Sequence, residues 1–263
     1  MNTPFCSLFF VSLLFWSAIG CGPGAPDEIE VDPGPPEPPQ PTQPPAPPEP
    51  SNPPPVTRSP YRPASDPTEK LLGDGVRTSE YDPAGYNSKA GGPVEKADEL
   101  ECDFSGPCCW ENSQGLDQNE WQLAYGQMSQ TKLEERFAVD GSSPPPPKGN
   151  YLVAISGGGA AADEAQFASC TIEKSKGPIT VTLNHWQTEH ALLHVCTRTA
   201  FFATPEDAPM MNCVEVERKN SPGPTTVKLP SSKLVDIVFV ASNLIGKEGD
   251  AVVIDDIFIE YRG

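Results

Sequence analysis

All three histidines of this chain fall in one short stretch, Asn184-His-Trp-Gln-Thr-Glu-His-Ala-Leu-Leu-His-Val-Cys196. His190 and His194 lie four apart, a spacing that on a helix would place both on one face and could hold zinc. Glu189 stands between His185 and the later pair, and Cys196 follows. The flanks, however, read as strands. Ile179-Thr-Val-Thr-Leu183 alternates apolar and polar residues, the period of a half-buried strand. Matching its apolar set to Ala191, Leu193 and Val195 gives a hairpin with its turn around Gln187-Thr-Glu189. In that register His185 lies with the buried set, while His190 and His194 share the other face with Asn184 and Trp186. Three ligands then do not converge. A one-residue slip would reunite them, so the hydrophobic pairing decides the matter. The spacing also misses His-x-x-Glu-His, because three residues separate His185 from Glu189. The expectation is a sheet hairpin carrying polar histidines, with no metal catalysis, no catalytic residues and no enzymatic activity.

Other chemistry is sparse. Gly157-Gly-Gly159 shares only its glycines with a phosphate loop, since no Lys-Ser/Thr follows. Asp255 and Asp256 are calcium candidates, resting on two adjacent carboxylates that would suit a hard cation. The competing reading is that Asp256 hydrogen-bonds neighbouring backbone at the start of a strand. No other cofactor is indicated. No Asn-x-Ser/Thr glycosylation site occurs.

The elements that must position these residues are strands. Short aliphatic and β-branched runs recur between Gly, Pro, Asn and Ser: Tyr151 to Ile155, Ile179 to Leu183, Ala191 to Val195, Thr226 to Leu229, Val235 to Val240, and Ala251 onward to Tyr261. No sustained helical periodicity interrupts them. This predicts an all-β fold, a jelly-roll-like antiparallel β-sandwich, over residues 99–263. Six cysteines lie within that region, at 102, 108, 109, 170, 196 and 213. An even number in an exported domain predicts disulfides rather than a zinc cluster, which would call for paired Cys-x-x-Cys spacing. Adjacent Cys108 and Cys109 point to opposite sides of an extended chain and so take different partners. Cys196 and Cys213 are expected to pair across a hairpin-like loop.

The chain ahead of this region is different. Residues 1–20 read as a signal peptide, with an apolar run from Phe9 to Trp16 and small residues before a cut after Gly20. Ala-Ile-Gly-Cys21 also has the look of a lipoprotein cut site, against which stands an n-region without Lys or Arg. Residues 21–98 are expected to be a disordered linker, first a Pro-rich polyproline II spacer and then a polar, Gly-rich stretch. No later segment is long and apolar enough to span a membrane. The formal net charge of −18 is spread along the chain. It excludes nucleic acid and anionic membrane surfaces as partners, because neither gains a counterion-release term from it.

Residues 100 to 121, Leu-Glu-Cys-Asp-Phe-Ser-Gly-Pro-Cys-Cys-Trp-Glu-Asn-Ser-Gln-Gly-Leu-Asp-Gln-Asn-Glu-Trp, resemble the opening of a MAM domain, the module of meprins, neuropilins and mu-type receptor tyrosine phosphatases. The matching positions are Cys102, Phe104, Cys108, Trp110 and Glu120-Trp121. Gly149-Asn-Tyr-Leu152 is similar to the family's Gly-x-Tyr strand start, and Val253-Ile-Asp-Asp-Ile257 to its closing strand. Cys109 departs from the family's usual Gly. The family's second disulfide is missing as a unit, Ile179 and Tyr261 standing near its two places. The resemblance implies a Cys102–Cys108 bridge, which leaves Cys109–Cys170 by elimination; Cys102 with Cys109 remains open as the alternative. It also implies a secreted, extracellular binding or adhesion module whose partners are extracellular or matrix proteins, homophilic contacts included. The alternative function is a structural matrix component cross-linked through the Pro-rich arm and the odd Cys21. A Cys21-dependent polymer on non-reducing gels would favour that alternative, and a strict monomer would remove it.

Overall fold

A computed structural model describes residues 66–86, 92–113, 117–139, 141, 144–200, 208–219 and 223–263. The expected leader, the Pro-rich arm and Cys21 lie outside the described residues. Among the described residues, twelve strands form two antiparallel sheets. The first sheet has the order β1 (Arg77–Glu80), β3 (Trp121–Tyr125), β4 (Tyr151–Ser156), β12 (Asp250–Glu260), β7 (Ile179–Gln187) and β10 (Thr225–Leu229). The second has the order β2 (Trp110–Asn112), β5 (Glu164–Ser169), β11 (Lys233–Ser242), β8 (Leu192–Thr199) and β9 (Met210–Glu215), with β6 (Ile172–Lys174) also paired to β11. The fold is the expected all-β sandwich.

Alternation drives the assembly. Ile179, Val181 and Leu183 of β7 face Leu193 and Val195 of β8 and Ile237 and Phe239 of β11 in one core between the sheets. At its centre Trp110 is fully buried and stacks on Phe167 and Phe239, with ring centroids 5.5 and 5.1 Å away. Trp110 and Trp121 satisfy their indole N–H groups on the carbonyls of Leu100 and Ala165, so two large apolar bodies are buried with no unpaired polar handle.

Two expectations are corrected. The Ile179–Leu183 and Ala191–Val195 runs do not form a hairpin: β7 belongs to the first sheet and β8 to the second. Their apolar sets do face each other, but across the sandwich. Hydrophobic matching alone cannot separate the two arrangements, since both bury the same residues. The second correction concerns the boundary at residue 99. Residues 68–86 are ordered, not linker. A short helix α1 (Pro67–Leu72) starts at Asp66, whose carboxylate accepts from the Thr68 amide, with Pro67 in the first turn, a favourable N-terminus. It ends at Gly73, whose φ of 105° is open to glycine and where a Cβ would come within 2.7 Å of the Ser129 Cβ. Leu71, Leu72 and Val76 are buried against Tyr151, Val153, Ala251 and Val253 on the outer face of the first sheet, together with Met128, Leu133 and Phe137. β1 then pairs with β3. A six-residue helix and a four-residue strand carry too few residues to show periodicity, and only their tertiary partners reveal them.

The Asp255-Asp256 pair forms a bulge in β12. Before it, Val252 and Ile254 point into the core; after it, Ile257 and Ile259 do. The register with β7 shifts between Asp255 and Phe258, so one extra residue reverses the parity and turns Phe258 and Glu260 outward. Asp256 has a φ of 51°. Deleting Asp256 should leave Ile257 and Ile259 inward in a plain ladder, and Asp256→Gly, which accepts that φ, should fold, whereas one residue inserted between Asp256 and Ile257 should send Phe258 and Glu260 inward and abolish soluble expression. A soluble insertion variant with an unchanged melting temperature would contradict this register.

Candidate functional site

The strand pairing scatters the three histidines. His185 is buried on the inner side of β7, its Nε2 2.9 Å from Thr225 Oγ1 and its Nδ1 3.1 Å from Gln187 Nε2. His190 sits in the connection between the sheets, 3.5 Å from the buried Asp250 carboxylate. His194 lies on the outer face of β8, 3.9 Å from Glu215. Glu189 and His190 line a cavity of about 450 Å³ at this end of the sandwich with Arg136, Thr188, Gly246 and Asp250. Asp250 is held there by Thr188 Oγ1 and the Gly246 amide. No group of three or more metal-binding side chains gathers among the described residues. The Asp255 carboxylate accepts from the amides of Lys148 and Asp256, and Asp256 accepts from Asn184 Nδ2. Both carboxylates are thus engaged by N–H donors at the bulge. It is Asp255, in mid-strand, that holds the backbone.

Burial drives the His185 imidazole down to about 4, with the Lys219 charge adding to it. A histidine kept neutral in the fold but free to protonate when unfolded contributes stability above pH 6.5, and this is lost as pH falls from 6.5 toward 4. Asp117 and Asp255 act in the opposite sense. Burial raises both to about 6, so their contribution is present at low pH and is lost as pH rises through 6. His185→Gln isolates the first effect. Between pH 7 and pH 5 the natural chain should lose about 2 kcal/mol relative to this variant in urea unfolding. A difference that does not change with pH would contradict a buried neutral His185.

Sequence reasoning missed one buried polar cluster. On the outer face of the second sheet, Ala168, Val238 and Cys196 form one row across β5, β11 and β8, with Glu111 of β2 at its end. The next row pairs Asp236 with Arg198 and Met210. Arg198 Nη2 lies 3.3 Å from Asp236 Oδ2, and its Nη1 donates to Ser113 Oγ at 3.0 Å. Thr171 Oγ1 donates to Asp236 Oδ1 at 2.7 Å. Both side chains of this ion pair are less than a tenth exposed. Burial raises the carboxyls of Asp236 and Glu111, and Tyr86, hydrogen-bonded to Glu111, is raised as well. In the row on the other side, Gln166 is buried and its Oε1 has no hydrogen-bond partner. Its Nε2 donates to Glu164.

The face is a small-residue floor of Ala168, Val238 and Cys196 rimmed by polar groups in fixed positions. Ser113 Oγ accepts from Arg198. The signal in the sequence was Asp236, a single charge inside the apolar run Val235 to Val240, and Arg198 two residues after Cys196, each at the same strand parity as a small neighbour. The structure joins Cys102 to Cys108, Cys109 to Cys170 and Cys196 to Cys213.

No family model and no curated protein matches this chain. Among solved structures, the chain is similar to a cleaved adhesin domain of Lys-gingipain from Porphyromonas gingivalis, at 8% identity over 65% of this chain and 98% of that one, with a TM-score of 0.37. A cyclase from Fischerella sp. matches at 12% identity over 72% and 98%, with a TM-score of 0.39. A family 11 carbohydrate-binding module from Clostridium thermocellum matches at 8% over 61% and 94%, with a TM-score of 0.33. Likeness at this level carries no argument about ligand or activity. The sandwich assignment rests on the strand pairing.

Proposed function

We propose that this chain is an exported, non-catalytic binding module of the MAM type that attaches to extracellular or matrix proteins. One observation carries the reading: the separate motifs behind the resemblance meet in space. The Cys102 amide donates to the Ile257 carbonyl at 3.0 Å and the Ile257 amide returns the bond at 2.8 Å, joining the opening loop to the closing strand. Asn150 of the Gly-x-Tyr segment donates to the Phe104 carbonyl at 3.1 Å. The Cys102–Cys108 bridge, Phe104, Trp110 and Trp121 enter the same core. Thr180 lies opposite Glu260, which puts the start of β7 beside the end of β12, the two places the family's second disulfide would join. Three disulfides support an oxidising compartment. No helix among the described residues is long and apolar enough to cross a membrane.

Binding is tested with fluorescent residues 66–263 on deposited extracellular matrix. Saturable binding that trypsin treatment of the matrix removes is the expected result. Binding that never saturates, or that survives trypsin, would overturn the reading. Beads coated with the same fragment test the homophilic version, which predicts aggregation that free fragment competes away.

A further inference from the structure

We infer that the Cys196–Cys213 bridge is a reducible clasp that a dithiol opens to free the edge strand β9 while the sandwich stays folded. Cys196 and Cys213 lie on neighbouring strands that already pair, β8 and β9. β9 is the last strand of its sheet, so its other edge has no strand beside it among the described residues. Cys213 is exposed. Of the other bridged cysteines, Cys102, Cys170 and Cys196 are buried and Cys108 and Cys109 half-buried. An attacking thiolate therefore meets the Cys213 sulfur first.

The exchange is balanced. One thiolate of the dithiol attacks Sγ of Cys213, forming a mixed disulfide and expelling Cys196 as thiolate. The second thiol attacks the reductant's own sulfur in that mixed disulfide and expels Cys213. The dithiol ends as a disulfide, two electrons have passed to the bridge, and Cys196 and Cys213 take up the two protons.

The fold tolerates this opening at β9 and nowhere else among its bridges. Cys109–Cys170 spans 61 residues and ends on a fully buried cysteine, and Cys102–Cys108 closes the loop that pairs with β12. β9 contributes little to the core: Asn212 to Glu215 are exposed, and Met210 only packs on the outer cluster of Ala168, Cys196 and Val238. The β8–β9 ladder is already interrupted at the bridge, where the register shifts between Val195 and Thr197 and Asn212 takes a φ of 52°. Reduction leaves two short pairings on either side of that break. Fraying of β9 then uncovers the outer edge of β8, a row of backbone groups able to take up another extended segment.

The test is graded reduction of the full chain with dithiothreitol, trapping with N-ethylmaleimide, peptide mapping and hydrogen exchange on the same samples. Cys196 and Cys213 should be trapped together on the order of tenfold sooner than the other four cysteines, as their access dictates. Exchange should rise across Met210–Glu215 and stay unchanged at the core residue Val216 and in β7 and β12. The proposal is overturned if another bridge opens first, or if Met210–Glu215 stays protected once Cys196 and Cys213 are alkylated. The double variant C196A/C213A should show the same fraying without reductant, and a protected β9 in that variant also overturns it. If the variant does not fold, the natural chain decides alone.

Discussion

A chain that begins at Leu100 is expected to lose cooperative unfolding, while one that begins at Asp66 melts in a single transition. The segment between contributes Leu71, Leu72 and Val76 to the layer outside the first sheet, and Tyr81 and Val94 to the central core. Each of these five side chains is less than a tenth exposed. Burying an apolar side chain of this size contributes about 1.5–3 kcal/mol, so the five together amount to roughly 8–15 kcal/mol, comparable with the whole stability of an ordinary domain. Removal would also strip β1 from β3 and leave Tyr151, Val153, Ala251 and Val253 facing water. Calorimetry of the two fragments checks this, and limited proteolysis should leave a resistant core starting near residue 66. If the fragment from 100 melts cooperatively at the same temperature, the N-terminal layer is ornamental and the account of it fails.

The second large effect is expected at the buried ion pair. Asp236→Ala removes the carboxylate that Arg198 and Thr171 both address, leaving a guanidinium buried without its counter-charge. Breaking such a pair from one side typically costs about 3–5 kcal/mol, which in a domain of this size lowers the melting temperature on the order of 10 °C. The double variant R198M/D236L, which removes both charges, should recover most of the loss, since the penalty lies in the orphaned charge and not in the missing attraction. An Asp236→Ala variant as stable as the natural chain would show that Arg198 reaches solvent. A double variant no better than the single would show that packing around the pair matters more than its charge.

The strands of residues 151–261 were legible because period-two alternation is a local property, and β7, β11 and β12 display it over many residues. Which sheet each strand joined was not legible. Ile179, Val181 and Leu183 bury the same surface whether Leu193 and Val195 lie beside them or across from them, so composition could not distinguish a hairpin from a crossing connection. The helix at Pro67–Leu72 escaped for a different reason: apart from Val76, its buried partners lie more than fifty residues away in sequence. The Asp255-Asp256 pair was visible as two carboxylates, yet its use as a parity-reversing bulge shows only when Val252 and Ile259 are both seen facing inward. The cluster around Arg198 and Asp236 was written into the strand pattern but needed the β8–β11 register before the two charges met.

Peptide mapping without reduction is the most direct test of the proposal that this is an exported chain whose MAM-like motifs are stapled into one sandwich. The protein should be expressed with its own leader, collected from the medium, alkylated and digested without reductant. Three linked pairs are predicted, Cys102 with Cys108, Cys109 with Cys170 and Cys196 with Cys213. Free thiols at these six positions, or a bridge from Cys102 to Cys109, would contradict it.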